Sequence, residues 1–477
     1  MAKARGLALL LLALAGCGGS QAAPSHRPTL RLSLPLVPRV LDPARAPDLP
    51  SLNVAHELYA GLTRFSGDGV EPDLAETWAQ EQGGLVWTFR LRKDLRWSDD
   101  APIRATDFRR AWLRALDPRT HAPFAGPALG IVRGGRHRLA TGSGSIGVQA
   151  PDERTLRVTL QHPVPWFDQL VAHPVAFPVR PRAYSGPFRL ASRGRGRLVL
   201  ERNFAYWDAD AVKPGRLVLG TATKGVDGVL PRQLAGPGLP WIDSVGRPTT
   251  RAELPTLATG LLWLSARRGP LRDEEARRYV AWVVTHLDLG SKPVSLVPSA
   301  MPGAETVNSH APVTLSSKPG PLALTLAWAR PDRGGSRVAA ALRRNAARLH
   351  AFGIRLAYRP VASVPQLLQT RADLTLLGWS SKVFDAYNLL DLFPCGSAFN
   401  VAGWCDPSYD ALMRRAVRTL DDEDRRRIER RLVEKLHVGV PAIPVYTARD
   451  GYSLRRGVHG FSWSPIGFYE LSGLTRS

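Results

Sequence analysis

The stretch "LGWSSKVFDAYN", residues 377–388, ends an apolar run in a tryptophan and then sets a lysine and an aspartate three residues apart. Those residue types suit recognition. Asp385 can accept from an ammonium, Lys382 can donate to a carboxylate or carbonyl, and Trp379 offers an apolar platform. Tyr387 and Asn388 add hydrogen-bonding groups. No catalytic set accompanies them. The chain has no Walker A loop, G-x-S-x-G elbow, H-E-x-x-H or C-x-x-C. Its 11 histidines are dispersed without metal-ligand spacing. No catalytic residue, metal or cofactor is therefore expected, although residues distant in sequence leave the enzyme class open. The acid-rich "LDDEDRRR" reads as the capped, solvated opening of a helix.

The elements that must hold this stretch come in a regular series. "LALTLAW" is a near-continuous apolar run, the mark of a buried strand. "SRVAAALRRNAARLHAFG" is an amphipathic helix with Val338, Leu342, Leu349 and Phe352 on one face and Gly353 as its stop. "IRLAYRPV" is a strand, a helix follows around "VPQLLQT", and "ADLTLLGW" is a third strand. Strand, helix, strand, helix, strand predicts a parallel sheet with right-handed crossovers. Ligands bind beyond the carboxyl ends of such strands, where the opening stretch lies. Upstream, "LRLSLPLV", "LVWTFRLRKDLRW" and "RTLRVTL" alternate as strands, and "SGPFRL" with "RLVLERN" reads as a strand pair. Residues 230–248, rich in Pro and Gly, read as a linker.

The chain is 477 residues long, enough for two or three domains. Lys3 and Arg5 precede the ten-residue apolar run "GLALLLLALA", too short for a stable transmembrane helix. That run leads into "LAGC", which resembles the bacterial lipoprotein signal. Residues 1–17 are thus expected to be a leader, Cys17 to become residue one and carry diacylglyceryl, and residues 18–27 to be a tether. The alternative is an ordinary secretory peptide with a chance cysteine. Export to the cell envelope or periplasm follows from either. The net charge of +23 falls to +21 once Lys3 and Arg5 are removed. Eight of the 64 basic residues are lysine, and the arginines are scattered instead of forming one stripe. A solvated basic surface explains this, and nucleic acid is not an expected partner. Cys395 and Cys405 remain, and a pair in an exported chain favours a disulfide over two buried thiols.

Several blocks together resemble the family 5 extracytoplasmic solute-binding proteins of ABC importers, the oligopeptide- and dipeptide-binding family. They are "VLDPARAPD", "VAHELYAGLTRF", "GVEPDLAETWAQ", "WTFRLRKDLRWSDDAPIRATDFRRAWLRALDP", "LVLERNFAYWDADAVK", "LFPCGSAFNVAGWCDPSYDALMRRAV" and "PAIPVYTARDGYSLRRGVHGF", in that order. The resemblance implies a type II periplasmic-binding-protein fold of class α/β, with two lobes, a hinge, and an extra domain on the first lobe. Carried over, lobe I is 28–43, 185–262 and 448–477, the extra domain 44–184, and lobe II 263–447. It implies a non-catalytic monomer that captures a peptide or peptide-like solute between the lobes and delivers it to a membrane permease. In peptide-binding relatives a carboxylate shortly after the strand-end tryptophan pairs with the ligand's α-ammonium. Direct spacing from Trp379 puts Lys382 there, with Asp385 the nearest acid. Asp385 is favoured for a peptide ligand, and Lys382 for an anionic or carbonyl-rich one. The Cys395–Cys405 bridge is expected to steady a cleft wall bearing Phe399 and Asn400. Two stretches depart from the family. Only Arg180–Tyr184 separates "AFPV" from "SGPF", and 214–254 is pared down. A surface lipoprotein that keeps the fold for adhesion, signalling or scaffolding is the alternative function.

Overall fold

A computed structural model gives the architecture. It describes residues 27–194, 196–234, 248–290, 294–308, 315 and 318–477, the side chains of 232–234 and 248–249 aside. The leader, Cys17 and most of the tether lie outside the described residues.

Ten strands build the central sheet: β1 (Thr29–Ser33), β2 (Phe188–Gly194), β3 (Arg197–Arg202), β4 (Arg216–Gly220), β5 (Gly228–Leu234), β6 (Pro248–Leu264), β7 (Leu322–Ala329), β8 (Ile354–Val361), β9 (Leu374–Ser380) and β10 (Ala442–Arg455). Across the sheet they run β8-β7-β9-β6-β10-β5-β1-β4-β3-β2. The predicted parallel unit is present, with β7 pairing in parallel with both β8 and β9. Its amphipathic helix is split at Asn345 into Arg333–Arg344 and Ala346–Ala351, yet Val338, Leu342 and Leu349 are all buried as the spacing requires. Gly353 ends the segment at φ +76°, a left-handed conformation that side chains with a Cβ resist.

Residues 230–234, read as linker, are instead strand: β5 pairs with β1 on one side and β10 on the other. At the centre, β6 and β10 form a long antiparallel ladder with register shifts at Pro248/Thr250, Pro255/Thr259 and Gly260/Leu261. A second, four-stranded antiparallel sheet holds Ala75–Glu81, Val86–Leu91, Thr155–Thr159 and Val148–Gln149. The helix Ala105–Ala115 packs with it through fully buried Phe108 and Trp112, and Trp112 Nε1 donates to the Ala176 carbonyl at 2.8 Å. Each such aromatic removes enough apolar surface from water to contribute about 1.5–3 kcal/mol before entropy is counted. Among the described residues no helix is long and apolar enough to cross a membrane.

Candidate functional site

Alternation along a strand sends residues i, i+2 and i+4 to the same face. Tyr446, Ala448 and Asp450 of β10, Thr256 and Ala258 of β6, and Ser380 at the end of β9 share one such face, and they floor a cleft of about 670 Å³. That size suits a small organic ligand. The walls are Leu49, Leu52, Phe124, His173 and the turn Pro465–Phe468 on one side, and Asp332–Gly334 on the other. Tyr446 is seated by two glycines. A Cβ on either Gly260 or Gly334 would run into its ring, so neither position admits another residue without moving that ring. The Tyr446 hydroxyl donates to Asp332 Oδ1 at 3.4 Å, and Asp332 caps the helix Arg333–Arg344 by accepting from Gly335 N at 3.0 Å.

Three cleft groups have unusual surroundings. Asp450 is 8% exposed, and burial pushes its carboxyl up to about 6. Lys382 keeps solvent contact but is closely walled, and desolvation lowers its ammonium from the ordinary lysine value. His173 lies 4.9 Å from the Phe124 ring centroid and edge-on to Phe468. Burial, assisted by the Lys382 charge, drives it down to about 3. Its Nδ1 accepts from Val175 N at 3.2 Å, which puts the proton of the neutral ring on Nε2. Among the described residues no side chain pairs with Asp450 or Lys382.

Of the seven binding residues expected from sequence, Lys382 lines this cleft. The other six stand elsewhere. Trp379 neighbours Ser380 on β9, so alternation turns its ring to the opposite face, where Phe399 packs at 5.1 Å between centroids. Asp385 is buried beneath the loop: its Oδ2 accepts from Arg425 Nε at 2.8 Å and its Oδ1 from Tyr387 N at 2.9 Å. It is therefore a buried ion-pair partner whose two carboxyl oxygens already accept from protein donors. Tyr387 packs against Trp166 at 4.9 Å between centroids. Asn388 Oδ1 accepts from the Lys382 amide at 2.9 Å and from Ser381 Oγ at 3.1 Å, which shapes the loop that presents Lys382. Asn400 is buried, with its amide donating to the Phe393, Pro394 and Trp404 carbonyls. Phe399 is 54% exposed and outside the cleft. Cys395 and Cys405 are joined in a disulfide, closing the turn that contains Phe399 and Asn400.

The model of the bacterial extracellular solute-binding proteins, family 5, matches residues 69–225. Over 459 residues the sequence is 26% identical to the probable deoxycholate-binding periplasmic protein YgiS of Escherichia coli, covering 86% of both chains. It is 36% identical over 192 residues to the periplasmic oligopeptide-binding protein OppA of Escherichia coli, covering 35% of this chain and 34% of that one. The unliganded, open periplasmic murein tripeptide binding protein MppA superposes with a TM-score of 0.79 at 21% identity, over 95% of this chain and 98% of the other. Residues 69–225 are thus similar to family 5 of the extracellular solute-binding proteins. The fold class is the α/β, type II periplasmic-binding-protein class expected from the sequence. A further structure, Haemophilus influenzae OppA in complex with the peptide RPPGFSPFR, gives a TM-score of 0.69 at 21% identity over 94% of this chain and 99% of that one.

Most floor residues escaped the sequence reading. "PAIPVYTARDGYSLRR" carries Tyr446, Ala448 and Asp450 at period two, a readable strand pattern with an acid on one face. Which face would meet a cleft depends on β6, nearly 200 residues upstream, and no local signal reports it.

Proposed function

We propose that this chain is the substrate-binding lipoprotein of an ABC importer. It captures a peptide or peptide-like solute in the cleft floored by β6, β9 and β10, without catalysing a reaction, and delivers it to a membrane permease. The observation that carries this reading is the cleft itself: about 670 Å³, with Asp450 on its sheet floor and Lys382 on the loop after β9, two unpaired charges of opposite sign. The names of the relatives OppA and MppA, both peptide binders, support it. We take the chain to be divided as the resemblance implies, with lobe I at 28–43, 185–262 and 448–477, its extra domain at 44–184, and lobe II at 263–447. The ladder of β6 and β10 then carries both crossings, and its register shifts are where a hinge would bend. Diacylglyceryl on Cys17 holds the monomer at the envelope, because one residue bearing several acyl chains anchors firmly.

Native mass spectrometry of protein purified from its own envelope tests the reading, with a peptide-sized adduct expected. A radius of gyration unchanged by any saturating solute would overturn interlobe capture. For the anchor, Cys17→Ser is expected to release the protein from membranes and to abolish palmitate labelling. Retention on the membrane would overturn it.

One observation favours a second reading. Lys382 stands near the apolar walls made by Leu52, Phe124, Ile466 and Phe468, an arrangement suited to an anionic amphipath, and YgiS bears the name of a deoxycholate binder. Calorimetry with deoxycholate against free-termini peptides discriminates the two.

A further inference from the structure

Among the described residues six carboxyl side chains are buried: Glu57, Asp73, Asp227, Asp385, Glu429 and Asp450. Four of them accept a hydrogen bond, and Glu429 lies beside the Arg425–Asp385 pair. Leu471 N serves Glu57, Gly61 N serves Asp73, Arg31 N serves Asp227, and Arg425 serves Asp385. Asp450 has no such donor among the described residues. A carboxylate taken out of water without a partner is costly to hold, and protein interiors normally satisfy such a group. Asp450 is also the buried acid that opens on the cleft, two residues beyond Ala448 on the floor.

We propose that Asp450 is the cation-binding position of this cleft, holding an ammonium or guanidinium group of the solute while Lys382 holds its anionic group. This rests on the solute-capture reading above and adds the charge pattern of the solute. Burial accounts for the poise of the group: with no donor beside it, the carboxyl is held up near 6 and gains most from an arriving cation. Lys382, also unpaired, supplies the opposite pole. The two are too far apart to neutralise each other. Asp450 lies opposite Leu254 of β6, while Ser381, next to Lys382, donates to the Leu257 carbonyl from the other side of that strand. Two strand spacings and two or three residues of rise put their backbones on the order of 10 Å apart. A zwitterion about three residues long spans that distance. No group of three or more metal-ligating side chains exists among the described residues, so an organic cation fits better than a metal ion.

The test uses purified full-length protein with three probes: a mixed tripeptide library with free termini, the same library N-acetylated, and deoxycholate, each followed by calorimetry and native mass spectrometry. The wild type is expected to prefer the free-amine library, and Asp450→Asn to weaken that binding on the order of 100-fold. Binding of the acetylated library should be unchanged in Asp450→Asn, which shows that the variant's cleft is intact. Lys382→Met should weaken both libraries. If Asp450→Asn binds the free-amine library as well as the wild type does, the cation position is overturned while solute capture stands. A wild type that takes deoxycholate in preference to every amine likewise overturns the cation position and leaves capture intact. If the wild type binds none of the three probes, both the capture reading and the cation position fall.

Discussion

Arg425 Nε sits 2.8 Å from Asp385 Oδ2, with both side chains 7% exposed. The arginine also reaches Asp422 at 2.5 Å, and Glu429 lies beside the pair with its carboxyl held well above the ordinary range by burial and by the Asp385 charge. Asp385→Ala strands a buried guanidinium and is expected to destabilise the fold by about 3 kcal/mol. Ionisation of Glu429 in place of Asp385 sets the lower end of that effect. Urea unfolding measures it. Solute affinity should stay within a few-fold of wild type, and a large selective loss of affinity with unchanged stability would place Asp385 in the site after all.

Asp450→Asn should stabilise the unliganded protein. The native carboxyl stands near 6 against about 3.8 when unfolded, so the wild type's stability falls as pH rises through that window. Above pH 6 the variant should gain up to about 3 kcal/mol relative to wild type, and below about pH 4 nothing. Paired thermal melts at pH 7.5 and pH 4 check the difference. A saturating cationic solute should reverse it. The other ionisable groups lining the cleft are Asp332, Arg333, Lys382, His173 and Tyr446, none of which pairs with Asp450.

His173 behaves in the opposite sense. Its native value near 3 lies below the unfolded value of 6.5, so the stability of the neutral, partly buried ring is complete above pH 6.5 and is lost as pH falls. Between pH 7 and pH 5 the wild type should lose about 2 kcal/mol more than His173→Phe does. Comparing the two proteins removes the contributions of other titrating groups. Equal pH slopes would mean that the ring is solvated in the native state.

The disulfide closes a short loop, Cys395 and Cys405 being ten positions apart. Cys395→Ser with Cys405→Ser should cost about 2–3 kcal/mol of stability on the chain-entropy account. Asn400 still ties the turn through three carbonyls, so solute affinity is expected to persist. Non-reducing peptide mapping of exported protein verifies the pairing.

Sheet topology was legible because it rests on local periodicity. The runs around Leu326, Leu356 and Leu376 alternate with helical spacing at Val338 and Leu342, and parallel pairing follows from that order. The position of the loop after β9 was legible for the same reason, and Lys382 on it lines the cleft. The roles of Asp385 and Asn400 were not, because each is decided by a partner that sequence spacing does not reveal. Arg425 comes forty residues after Asp385, on a different element. Trp379 was misplaced by one step of strand alternation, which sends neighbouring residues to opposite faces. Asp450 was visible as an acid in a strand, but its isolation is a three-dimensional property, defined by donors that are missing around it.

Tyr446 and Asp450 share one face of β10, yet they stand on opposite sides of the register shift at Pro255/Thr259 in the ladder with β6. A bend at that shift changes the distance between them while leaving each strand intact. The floor then works as an adjustable gauge: solutes whose groups match the closed spacing are gripped from both sides of the bend, so a collection of accepted ligands should share a length more closely than a composition.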